Sequence, residues 1–131
     1  MNVLVDTCVW AQVLRRDPPQ TELTNQLTEL ITDNRVSLIG PIRQEILSGI
    51  SNDARFNELK DKLSAFEDIP LKSEYFIKAA GFSNLCRING IQGSATDFLI
   101  CSVAYCLEMF IFTLDNDFKV YKNYLPIKLF E

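Results

Sequence analysis

Asn2-Val3-Leu4-Val5-Asp6-Thr7 is an apolar run that stops abruptly at a carboxylate. Consecutive aliphatic residues with no charge among them predict a strand buried on both faces, of the kind found in the middle of a parallel sheet. An Asp at the carboxyl end of such a strand stands at the rim where open α/β sheets place their ligands. Asp6 is therefore the first candidate for chemistry.

Outward from that strand, apolar patterns alternate between strand and helix. Cys8 to Arg16 predicts a short helix with Thr7 as its cap, ended by Asp17-Pro18-Pro19. Thr21 to Asp33 repeats Leu23, Leu27, Leu30 and Ile31 at helical spacing, an apolar face that suits either core packing or a dimer surface. Arg35 to Ile39 reads as a second strand, and Gly40-Pro41 opens a helix over Ile42 to Ile50 with proline in its tolerated first turn. Asp53 to Phe66 is a further helix, followed by a short strand or extended link at Asp68 to Leu71. Ser73 to Arg87 is read as a helix capped by Ser73, with Phe76, Ile77, Ala80 and Leu85 inward, and Asn89-Gly90 stops it. Ser94 to Leu107 is apolar in nearly every direction, which predicts a helix buried in the centre. Met109 to Leu114 is a buried strand ending at Asp115, a short helix begins at Asn116 to Phe118, and Ile127 to Phe130 is a closing strand. Strands alternating with helices predict right-handed crossovers and a three-layer α/β/α fold with a mostly parallel central sheet. No repeat or linker divides residues 1–131, which read as a single domain.

Composition narrows the chemistry. A chain of 131 residues and 15.0 kDa buries roughly two thirds of its unfolded surface, and 47% hydrophobic residues with nine Phe support a packed core. No apolar run reaches the roughly 18 uncharged residues of a membrane helix, and no basic region precedes a long apolar core at the N-terminus. Cys8, Cys86, Cys101 and Cys106 lack C-x-x-C spacing and read as free thiols in a reducing compartment, so the sequence predicts a cytoplasmic protein. The absence of histidine excludes Ser-His-Asp and Cys-His catalysis and every His-containing zinc site. A net charge of −4 and a pI near 4.8 exclude a broad basic surface for nucleic acid. They leave open an enzyme that meets phosphates through carboxylate-held metal ions.

Four acids interrupt or terminate apolar segments: Asp6, Glu45, Asp97 and Asp115. Each has a plain structural reading. Asp6 can cap the helix after it, Glu45 can lie on a helix surface, Ser94 and Asp97 match a capping box, and Asp115 to Asp117 can form a turn. Gathered in partial burial, however, four carboxylates repel one another and resist desolvation unless a cation neutralises them. Carboxylate and water oxygens suit Mg²⁺ or Mn²⁺.

V-L-V-D-T at Asp6, Q-E-I-L-S-G at Glu45, T-D-F-L-I at Asp97 and F-T-L-D-N-D-F at Asp115 resemble, in that order, the four motifs of PIN-domain proteins, and most of all the small VapC-type toxins. The resemblance covers essentially the whole chain. It implies a PIN-like fold that brings the four acids together at an Mg²⁺ or Mn²⁺ site with endoribonuclease activity. Asp6, Glu45, Asp97 and Asp115 are then the metal-binding, catalytic carboxylates, Asp117 an additional ligand and Thr113 a supporting hydroxyl. Cys8 departs from the Ser common at that position. A homodimer and a cognate antitoxin whose segment covers the acidic cleft are also implied. Arg15, Arg16, Arg43 and Arg87 are candidates to hold flanking RNA phosphates, against a reading as solvated surface charge. Two other function classes compete. A phosphatase or receiver-like domain is disfavoured by Cys8 where a D-x-D pair needs its second acid and by the lack of a paired acid and late Lys. A catalytically inert PIN-like binding module is disfavoured by retention of all four acids.

Overall fold

The computed structural model describes residues 1–15 and 21–131, the side chains of Arg15 and Thr21 excepted. Its first strand, β1 (Val3–Val5), is followed by α1 (Thr7–Arg15), α2 (Thr21–Thr32), β2 (Val36–Ser37), α3 (Gly40–Leu47) and α4 (Asp53–Leu63). Then come α5 (Ser73–Ile88), α6 (Ala95–Cys106), β3 (Phe110–Phe112), α7 (Asp117–Tyr121) and β4 (Lys128–Leu129). The sheet order is β2-β1-β3-β4 and every pairing is parallel. β1 is thus an interior strand, as its sequence predicts. Successive strand residues point to opposite faces, yet Val3, Leu4 and Val5 are all fully buried, so both faces are covered. α6 lies against β1 and β3 with α5 packed on it, while α1, α2, α3 and α4 form a second packed set. The architecture is the expected three-layer α/β/α.

The strands are shorter than the apolar runs that announce them. Arg35 to Ile39 contributes two strand residues, and Asp68 joins the sheet only through an isolated bridge to Leu38. Helix ends follow local rules: α2, α5 and α6 each close into a left-handed residue, Asn34, Gly90 and Glu108. In each case the next amide reaches back to the last turn, as Ile91 N–H does to the Cys86 carbonyl at 2.8 Å.

Three expectations require correction. On α5 the buried residues are Tyr75, Ala79, Phe82 and Cys86, whereas Ile77 is 72% exposed and Phe76, Ala80 and Leu85 also face outward. The helix is turned relative to the sequence reading because apolar residues occupy both of its faces and contact with α6 decides between them. Ser102 Oγ in α6 donates to the Tyr75 carbonyl at 2.6 Å, which fixes the docking. Ser73 does not cap this helix: the capping position is Lys72, and no side chain bonds there. Thr7 does not cap α1 but is its first residue, and the side chain that accepts its amide is Asp6. On α2 the core-packing reading holds: Leu23, Leu27 and Leu30 are buried, and only Ile31 of the four faces outward.

Candidate active site

Asp6 sits where β1 becomes α1, and both elements hold it. Its amide donates to the Phe112 carbonyl at 2.8 Å, extending the sheet ladder, while its own carbonyl accepts the Val9 and Trp10 amides and starts the helix. Every direction of its side chain is then constrained. Oδ1 accepts the Thr7 amide at 2.8 Å, and Oδ2 accepts the Thr113 hydroxyl at 2.8 Å and the Cys8 thiol at 3.6 Å. Cys8 Sγ also accepts the Leu114 amide at 3.2 Å, so the thiol takes up hydrogen-bonding positions beside Asp6 that a hydroxyl would fill. Burial raises the Cys8 pKa and keeps it a thiol.

Thr113 is the joint between two acids. Its hydroxyl, while donating to Asp6, accepts the Asp115 amide at 3.0 Å, and Asp115 Oδ1 in turn accepts the Asp117 amide at 2.9 Å. Asp97 approaches from α6. Ser94 Oγ accepts the Asp97 amide at 3.0 Å, so Ser94 caps the helix. The Asp97 carboxylate, rather than closing a capping box, accepts the buried Tyr121 hydroxyl at 2.7 Å. One carboxylate oxygen from each of Asp97, Asp115 and Asp117 falls within 4.8 Å of the others. Glu45, exposed on α3, accepts the Thr7 hydroxyl at 3.0 Å. Hydrogen bonds through Thr7 and Thr113 link Asp6, Glu45, Asp115 and Asp117, and Asp97 joins them by the approach of its carboxylate to Asp115 and Asp117. The tight group, though, contains Asp117 and leaves Asp6 and Glu45 beside it.

The four arginines fare differently. Arg43 is engaged within the protein: its Nε donates to Asp68 at 3.0 Å, and its terminal nitrogens donate to the carbonyls of Leu63 at 2.9 Å and Phe66 at 2.5 Å. It clamps the end of α4 to α3. Arg87 is exposed at the last turn of α5 and lines a shallow groove of about 220 Å³ with Gln92, Gly93 and Phe98. Arg16 and the side chain of Arg15 lie outside the described residues. Tyr121 was not legible as a site residue, and its one signal is the helical spacing in D-F-K-V-Y that puts it a turn after Asp117.

The donors are all hard oxygens, and no ion pair among the described residues engages them. Among the described residues the salt bridges are Arg43–Asp68, Arg55–Glu58 and Lys62–Glu58, none reaching the cluster. Such a set fits Mg²⁺ or Mn²⁺. Asp6 shows the cost of the arrangement: burial raises its pKa, the bonds from Thr113, Thr7 and Cys8 offset this in part, and the Asp97 charge adds to the rise. A raised carboxyl pKa contributes stability that is present below the ordinary carboxylate range and lost as pH rises through the shifted value. At neutral pH ionised Asp6 therefore opposes folding. Asp6→Asn is expected to raise the melting temperature in EDTA by about 3 °C, read by thermal denaturation, because it removes the charge and keeps the Thr7 bond.

Comparison with known proteins bears on this geometry. A family profile for the PIN domain matches residues 3–123. FitAcB from Neisseria gonorrhoeae superposes with a TM-score of 0.80 at 21% identity, covering 98% of this chain and 96% of that one. VapBC2 from Rickettsia felis, solved bound to a promoter DNA fragment, gives a TM-score of 0.80 at 18% identity over 100% and 98% of the two chains. VapBC-5 from Mycobacterium tuberculosis, of the VapBC family of toxin-antitoxin systems, gives 0.72 at 14% identity over 100% and 99%. The comparison with curated proteins gives no significant match.

Proposed function

Since this chain belongs to the PIN-domain family, we propose that it is a metal-dependent endoribonuclease, the toxin of a type II toxin–antitoxin pair, that hydrolyses RNA phosphodiesters. The observation that carries the reading is the convergence of Asp97, Asp115 and Asp117 within 4.8 Å, with no salt bridge to any of them among the described residues. Nuclease activity is also what PIN domains typically have.

Asp97, Asp115 and Asp117 would hold Mg²⁺ or Mn²⁺, with Asp6 and Glu45 completing the acidic set. Bound there, the ion supplies an acidified water as nucleophile and neutralises charge developing on the phosphate. The chain's own residues supply order around it. Thr113 sets Asp6 and Asp115 at a fixed separation, because one hydroxyl bonds both. Glu45 keeps Oε2 on Thr7 and lies outside the tight group, so it would be available to take a proton from water in a chain without histidine. The exposed rim of Asp115, Asp117 and Glu45 admits a polymer rather than only a small molecule.

The partner is inferred from the neighbours and from one surface. Those neighbours include a member of a toxin-antitoxin family, and we take a cognate antitoxin as the partner here. Phe76, Ile77, Leu85 and Ile88 form an outward apolar stripe on α5, suited to a homodimer contact or an antitoxin helix. A groove of about 350 Å³ lined by Phe76, Ala80, Thr96 and Leu99 runs between α5 and the start of α6. Four free thiols fit the reducing cytoplasm, and no helix among the described residues is long and apolar enough to cross a membrane.

Incubation of the purified chain with RNA tests the proposal. Cleavage is expected with Mg²⁺ or Mn²⁺ and should vanish in EDTA. Undiminished cleavage in EDTA, or none with either ion, refutes it.

A further inference from the structure

Tyr121 is fully buried at the end of α7, and three neighbours enclose its ring. Phe118 packs edge-on at 5.2 Å between centroids, and Phe98 lies tilted at 5.2 Å. Gly93 closes the third side: a Cβ there would come within 2.3 Å of Tyr121 Oη and 2.9 Å of both Tyr121 Cζ and Phe98 Cζ. The ring has no room to swing, so the direction of its hydroxyl is fixed by packing. That hydroxyl points at Asp97 Oδ2, 2.7 Å away.

From this we infer that Tyr121 is a positioning residue that locks the Asp97 carboxylate in the orientation that meets Asp115 and Asp117, with Gly93 keeping the slot open for its ring. The inference rests on the metal-site reading above and extends it to a residue outside the acidic set. Packing alone would be served by phenylalanine, since a buried hydroxyl is costly unless it finds a partner. Here the partner is the Asp97 carboxylate. With the Asp97 amide pinned by Ser94 and one carboxylate oxygen pinned by Tyr121, the other oxygen has a set direction. α7 thereby serves the cluster from both ends, since Asp117 opens it and Tyr121 closes it. Partners that orient a ligand from outside the coordination sphere are commonly worth 10- to 100-fold in metal affinity.

The test is calorimetric titration of the full chain with MnCl₂, alongside thermal melts in EDTA. Tyr121→Phe is expected to weaken Mn²⁺ binding about tenfold with little change in melting temperature. RNA cleavage by this variant should recover at saturating Mn²⁺, because the metal dependence has shifted and the reaction has not. Gly93→Ala, which displaces the ring, should weaken binding in the same direction and add little further weakening in the Tyr121→Phe background. Unchanged Mn²⁺ affinity in Tyr121→Phe overturns the inference and leaves the metal-site reading standing. Weakening only in step with a melt near the titration temperature also overturns it, since the role is then structural. Wild type and Asp97→Asn that both fail to bind Mn²⁺ overturn the inference together with the reading beneath it.

Discussion

Asp97→Asn should reduce metal-stimulated RNA cleavage by on the order of a thousandfold, a loss of about 4 kcal/mol in transition-state stabilisation, while leaving the fold in place. The helix cap survives because it uses the Asp97 backbone amide, and Tyr121 can still donate to the amide oxygen of Asn. What disappears is one negative charge from a group whose oxygens lie within 4.8 Å of those of Asp115 and Asp117. Loss of mutual repulsion should make the variant at least as stable as wild type in EDTA. Single-turnover cleavage of labelled RNA, paired with a melting curve, separates the two effects. Wild-type activity in a folded Asp97→Asn protein would remove the acidic cluster from the mechanism.

The largest expected effect on stability lies elsewhere, at Arg43. Arg43→Ala should cost about 3 kcal/mol, because hydrogen bonds from a charged donor are worth more than neutral ones and the acceptors are left behind. The guanidinium is bonded to Asp68 and to the carbonyls of Leu63 and Phe66, and its side chain is 22% exposed. Truncation strands two carbonyls at the close of α4 and frees the loop that brings Asp68 to its bridge with Leu38. Arg43→Lys should recover little of the loss, since a single ammonium cannot reproduce the planar fork. Urea denaturation measures both, and an Arg43→Ala midpoint equal to wild type would show the clamp to be redundant. RNA affinity of the folded variant should not change, which distinguishes a clamp from a phosphate contact.

The contrast between Arg43 and Asp97 shows which parts of the protein its sequence discloses. Asp6, Asp97 and Asp115 stood out as candidates because each breaks or ends an apolar run, and a charge placed there needs a reason. The same runs disclosed β1, β3 and α6. Arg43 looked like surface charge because its three acceptors lie 20 to 25 residues away and two are backbone atoms, which no side-chain pattern records. α5 failed for a related cause: Tyr75, Phe76, Ile77, Ala79, Ala80 and Phe82 put apolar groups all round it, so periodicity selects no face and the partner helix does. Tyr121 stayed hidden because its role depends on a slot formed by Gly93 and Phe98, distant in sequence. The family motifs named the acids, but the tight grouping of Asp117 with Asp97 and Asp115, and the place of Asp6 and Glu45 beside them, had to come from coordinates.

The parallel pairing of β1 with β3 sets Val3 against Phe110 and Val5 against Phe112, and Asp6 finds its hydroxyl partner 107 residues downstream. At ordinary translation speeds roughly 5–20 s separate the synthesis of these two halves. A nascent chain carries Asp6 and Glu45 long before the ribosome has made the strand that brings them a counterpart. The acidic centre thus has no early form, and its parts can meet only after the segment around Thr113 has been made.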